Sequence, residues 1–148
     1  MQVFERETMI NAPPERVFNY VADIGRHPEW AAHPLQVEPV SDGSPSAGST
    51  YKSVGKQMGT HKGTVEITEL VPNQKVVYES EDDIGRFRHT INLTPEAGGV
   101  RLSKRFEPLS LRFPYSIMFP IGSRFVAAKG LDRDLQRIKE KMEGSPPA

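Results

Sequence analysis

Five clusters of turn-forming residues cut the middle of the chain at short intervals: SDGSPSAG at 41–48, QMG at 57–59, VPNQ at 71–74, DDIG at 82–85 and PEAGG at 95–99. The runs between them are β-rich, and several alternate apolar with polar residues, the period of a half-buried strand. Loops so short join hairpins. The sequence therefore predicts a meander of six antiparallel strands at about 35–41, 50–57, 61–71, 75–82, 86–94 and 99–107.

Different patterns flank the meander. MQVFERETMI reads as a further strand, ended by NAPPE. The prolines there suit the first turn of a helix, and Asn11 stands just before them as a candidate cap. Val17, Val21 and Ile24, with Phe18 beside them, follow at helical spacing. GRHPEW breaks that helix, and Pro28 predicts a second short helical turn starting near PEWAA. At the other end Ile117, Ile121, Phe125, Ala128, Leu131, Leu135, Ile138 and Met142 recur at steps of three or four. That is one long amphipathic helix, starting or kinked at Pro120, where a proline costs ~3 kcal/mol in a helix interior. Its other face, DRDLQRIKEK, reads as solvated, and residues 144–148 as a frayed tail. These elements sum to a single α+β domain over 1–148: a curved antiparallel sheet of about seven strands, two short helices after the first strand, and a long C-terminal helix gripped by the sheet. A strongly bent sheet leaves a gap beneath such a helix, and gaps of that kind take ligands.

Composition narrows the partners. Of 148 residues, 19 are Lys or Arg and 19 are Asp or Glu, and no stretch is strongly one-signed. A nucleic-acid partner needs a concentrated basic footprint, so none is expected. With no cysteine, disulfides, thiolate nucleophiles and Cys-held metals are excluded. His27 and His33 lie six apart across a proline, unlike the helical spacing of zinc motifs, so no metal or other cofactor is expected. The N-terminus is too polar for a signal peptide and no apolar run approaches 18 residues. The expectation is a cytoplasmic protein with no stable membrane insertion; a homodimer is left open.

The informative residues are polar misfits in apolar rows. In FRHTINL, His89 shares its parity with Phe87, Ile91 and Leu93, so it points inward with them. A filled core disfavours an imidazole, because a buried polar group without a partner costs roughly 1–3 kcal/mol. A histidine lining a space avoids that cost, as does one bonded to a neighbouring polar group. Val65 and Ile67 put His61 on their own side. Lys104 falls in line with Val100, Leu102 and Phe106, unless a one-residue slip brings Arg105 inward instead. An isolated buried ammonium is expensive, so Lys104 must reach a rim, a ligand carboxylate or an internal acid. In 75–82 the set Val76, Tyr78 and Ser80 suits a cavity better than Val77, Glu79 and Glu81. Tyr51 and Ser53 contribute similarly from the preceding hairpin, and Trp30 plugs one end or, the better reading, simply packs in the core. LRFPYSIMFP, residues 111–120, serves as a portal flap or as packed chain leading into the helix.

Three stretches resemble one known family. INAPPERVFNYVADIGRHPEW is similar to the opening of the polyketide cyclase/dehydrase and lipid-transport superfamily, the START-like or birch-pollen-allergen-like fold. ITELVPNQKVVYES looks like its strand–Pro–turn–strand, and LDRDLQRIKEKMEG resembles the run that closes its terminal helix. The resemblance implies a helix-grip fold around a mostly apolar cavity and carries no catalytic motif. The expected function is binding of a small hydrophobic molecule: a lipid, a polyketide-like aromatic or an isoprenoid. The candidate lining is Tyr51, His61, Tyr78, Phe87, His89, Ile91, Lys104, Phe106 and Phe125. The alternatives are a cyclase/dehydrase-type enzyme with His89 as acid/base, and a protein-interaction module like the chaperone activators that share the fold.

Overall fold

The computed structural model describes residues 3–56 and 59–144, except for the side chains of 121–125. Seven strands form one antiparallel sheet: β1 (Phe4–Ile10), β2 (Leu35–Pro39), β3 (Thr50–Lys56), β4 (Thr60–Val71), β5 (Lys75–Glu81), β6 (Gly85–Glu96) and β7 (Gly99–Leu111). Their order across the sheet is β1-β7-β6-β5-β4-β3-β2. The meander thus closes with the first strand added beside the last. Helix α1 (Pro14–Ala22) and a 3-10 segment (Ile24–Glu29) link β1 to β2, and helix α2 (Tyr115–Glu143) ends the fold. This is the expected α+β helix-grip architecture.

Residues directly opposite in antiparallel strands share a face. The register places Tyr78 opposite His89, His89 opposite Phe106, and Ile91 opposite Lys104. Gly63 faces Ser53 on one side, and Val65 faces Ser80 on the other. Lys104, not Arg105, therefore lies on the inner face, and a register shift falls farther along, between Arg86 and Phe87. Gly85 permits the close approach there, since a Cβ would sit 2.1 Å from the Ser110 carbonyl oxygen. The outer face carries ion pairs, among them Glu79 with Arg86 and Arg88, and Arg101 with Glu96.

The core fills one end of the inner face. Ile10, Ile91, Leu93, Val100 and Leu102 are buried together with Val17 and Val21 of α1 and with Leu135, Ile138 and Met142 of α2. At that end a backbone N–H from Asn11 donates to Glu143 (2.6 Å), and Lys139 donates to the Met9 carbonyl (2.5 Å).

Four local expectations are corrected. The α1 cap position is Pro13, without a side-chain cap bond; Asn11 directs its N–H to Glu143 instead. The second helical turn precedes Pro28 and contains it. Helix α2 starts at Tyr115 and runs through Pro120, which forfeits one hydrogen bond near an exposed end. Ile117 is exposed, whereas Tyr115 and Phe119 are half-buried and meet rings on the sheet. The segment 111–120 is apolar on all sides, so apolarity alone does not say which face turns inward. Residues 145–148 of the expected frayed tail, Gln57 and Met58 of the QMG turn, and the Phe125 side chain lie outside the described residues.

Candidate functional site

The inner face is not uniformly filled. Ser53, Gly63, Ser80, His89 and Phe106 occupy adjacent positions on it and all keep partial exposure. Above them runs the N-terminal half of α2. Tyr115 reaches the His61 ring edge-on at 6.2 Å between centroids, and Phe119 reaches Phe87 at 6.2 Å. Phe87 in turn stacks on Phe106 at 5.2 Å. Aromatic rings of the sheet and of the helix above it thus meet beside Ser80 and His89, which keep partial exposure on the same face.

Between these partly exposed residues and the core lies a polar cluster. Lys104 is 3% exposed, yet its ammonium is well satisfied: it donates to Asp134 of α2 at 2.8 Å and lies 4.9 Å from the centre of the Trp30 ring. The other Asp134 oxygen accepts the Ala32 N–H at 2.7 Å. Burial pushes the Lys104 pKa down, but the Asp134 carboxylate and Tyr78 outweigh it, and the amine stays charged. Around this pair the rings are continuous. His27 lies 4.1 Å from Trp30 and 5.9 Å from Tyr78, and Tyr78 stacks nearly parallel on His89 at 4.5 Å. Burial, and then the Lys104 charge, hold both His27 and His89 well below the ordinary histidine pKa, so both imidazoles are neutral at pH 7. His89 Nε2 pairs with Ser80 Oγ at 3.2 Å. Burial raises the Tyr78 pKa, so its hydroxyl keeps its proton.

Of the residues expected at the site, Tyr78, Phe87, His89, Lys104 and Phe106 are brought together. Ile91, next to them on β6, is fully buried in the core. Tyr51 belongs to the same core cluster, nearer the β3 edge. His61 is on the inner face but apart from this group, with Nδ1 2.7 Å from Asp83. Strand alternation does not reach Asp134, which the sequence places within a solvated helix face. Its spacing does hold the signal, since Asp134 is three residues after Leu131 and four before Ile138, both buried. His27 stands out in the sequence only as a candidate metal ligand, and a 3-10 segment gives no periodicity that would aim it. Among the described residues no group of three or more His, Asp or Glu side chains is placed to hold a metal ion.

Two open clefts lie elsewhere. One, of about 700 Å³, runs between α1 and the end of α2 past Tyr20, Arg26 and Met142. The other, of about 550 Å³, crosses the outer face past Glu79 and Arg88. Their charged groups are largely paired with one another, Arg26 with Glu29 and Arg88 with Glu79.

Residues 1–143 match the family model described as polyketide cyclase/dehydrase and lipid transport. The chain belongs to this family. Solved structures share the fold at low identity. TTHA0849 from Thermus thermophilus is 20% identical with a TM-score of 0.80, the match covering 99% of this chain and 100% of that one. CV1439 from Chromobacterium violaceum is 22% identical with a TM-score of 0.74, over 99% and 100% of the two chains. The di-domain ARO/CYC StfQ from the steffimycin biosynthetic pathway is 16% identical with a TM-score of 0.71, over 96% of this chain and 50% of that one. No curated protein matches significantly. No helix among the described residues is long and apolar enough to cross a membrane.

Proposed function

We propose that the protein binds a small, largely apolar molecule between the inner face of its sheet and the N-terminal half of α2. The observation that carries this reading is the partial exposure of Ser53, Gly63, Ser80, His89 and Phe106, on a face whose other end is filled. Phe87, Phe106 and Phe119 supply ring surface, and Ser80 and His89 orient the ligand. A lipid, an isoprenoid or a polyketide-like aromatic fits that chemistry. The family description, spanning cyclases and lipid carriers, agrees with it.

The test uses anilinonaphthalene sulfonate, an apolar dye that fluoresces when bound. Saturable binding by the wild type, lost in Ser80→Trp with the circular dichroism spectrum unchanged, is the expected result. Binding that survives Ser80→Trp unaltered places the dye elsewhere and contradicts the reading. Native mass spectrometry of freshly purified protein, compared with its denatured mass, would identify any ligand carried through purification.

A second reading, a cyclase/dehydrase-type enzyme, is favoured by one observation: His89 is a neutral imidazole on an apolar floor, beside a protonated Tyr78 hydroxyl. A neutral imidazole can take a proton from carbon next to a carbonyl while a hydroxyl donates to the developing oxyanion. On this reading His89→Ala lowers turnover at least roughly 100-fold while ligand affinity changes only a few-fold. Equal loss of both leaves binding alone.

A further inference from the structure

Among the described residues three buried side-chain polar atoms are short of hydrogen-bond partners: Trp30 Nε1 and His89 Nδ1 have none, and the Tyr78 hydroxyl has only Lys104, itself a donor. Such atoms are uncommon in folded proteins, because each forfeits the hydrogen bonds it made to water. Three scattered orphans would say little. These three belong to the one ring cluster around Lys104, linked through His27 and through the Tyr78–His89 stack.

Their chemistry has a common sign. An indole N–H can only donate. The Tyr78 hydroxyl faces the Lys104 ammonium, itself a donor, so the phenol proton is left to give elsewhere. In the tautomer in which Ser80 donates to His89 Nε2, Nδ1–H becomes a third donor. Of the acceptors on this side, the Asp134 carboxylate is already used by Lys104 and the Ala32 N–H, and the neutral His27 ring offers one nitrogen. None of these three atoms is open to solvent.

We infer that the inner-face cluster around the His89 ring is a donor-rich subsite that receives a hydrogen-bond-acceptor oxygen, a carbonyl or carboxylate, at the head of the apolar ligand. The inference rests on the binding reading and adds the chemistry of the head group. The movable member is His89: it is partly exposed and its side chain is held through one nitrogen. Its ring stacks on Tyr78, and His27 stands between Tyr78 and Trp30. The two oxygen sources are ranked by charge. Asp134 already neutralises Lys104, so a neutral carbonyl leaves the cluster balanced, whereas a carboxylate adds an uncompensated buried charge.

The experiment displaces bound anilinonaphthalene sulfonate with four naphthalenes of one shape: the methyl ketone, the carboxylate, the ethyl hydrocarbon and the 1-aminoethyl amine. The expected order is ketone, then carboxylate, then hydrocarbon, with the amine weakest. Ketone and hydrocarbon should differ by about tenfold, one well-made buried hydrogen bond. In Tyr78→Phe the ketone should fall to within twofold of the hydrocarbon while hydrocarbon affinity is unchanged. A purely structural role for Tyr78 would weaken both together and overturns the inference. Equal displacement by ketone and hydrocarbon in the wild type also overturns it, yet leaves the cavity standing. Failure of the dye itself to bind saturably removes the cavity and this inference together.

Discussion

The two ends of the inner face share strands β6 and β7 and the same helix, yet they have opposite packing. At one end Ile91, Val100 and Leu102 meet Leu135 and Ile138 with 3% exposure or less. At the other, Ser80, His89 and Phe106 remain partly open, beneath a helix half on whose outside Ile117 and Met118 are 60% and 51% exposed. One end supplies stability. The other keeps partial exposure, and the Lys104–Asp134 pair lies between the two.

The largest effect expected from breaking this division is at its border. Lys104→Met leaves the Asp134 carboxylate buried without its partner and should cost ~3–5 kcal/mol in denaturant unfolding. The double variant Lys104→Met/Asp134→Leu should recover more than half of that loss, because no lone charge remains. A single variant that unfolds at the wild-type midpoint would show that the pair does not hold helix to sheet.

The next contrast is between the helix halves themselves. Ile138→Ala in the filled end should cost ~2–5 kcal/mol. Ile117→Ala over the open end should stay within ~0.5 kcal/mol. Equal costs would erase the distinction between the two halves.

The smallest effect concerns pH. His27 and His89 have folded pKa values well below the ordinary 6.5, so the unfolded chain binds more protons in that interval. Stability from these groups is therefore complete above about pH 6.5 and declines as pH falls toward their folded pKa values. His89→Leu should retain the fold, flatten that decline by the His89 share, and change ligand selectivity. Urea titrations of both proteins between neutral and mildly acid pH measure the difference, and an unchanged slope would contradict the burial assigned to His89.

Most of the fold is legible in the sequence because it is written in short periods. Turn clusters mark the hairpins, and period-two alternation aims Tyr78, His89 and Lys104 at one face. What escapes is information that crosses between elements. Lys104 is recognisable as needing a partner, but Asp134 sits 30 residues away on a helix whose exposed neighbours, Asp132 and Arg133, disguise it. His27 lies in a 3-10 segment too short for a pattern, so only the folded contacts with Trp30 and Tyr78 reveal it. The helix start is hidden for a related reason: Pro120 argues locally for a break, while the rings of Tyr115 and Phe119 hold that turn against the sheet.

The central claim, an open hollow at one end of the inner face, is tested most directly by amide chemical-shift mapping during titration with anilinonaphthalene sulfonate. The account predicts saturable shifts concentrated at Ser53, Gly63, Ser80, His89 and Phe106 and along the first turns of α2, with Ile91, Leu102 and Ile138 little affected. Shifts centred on the cleft past Tyr20 and Met142, or on the outer face around Glu79 and Arg88, would contradict it.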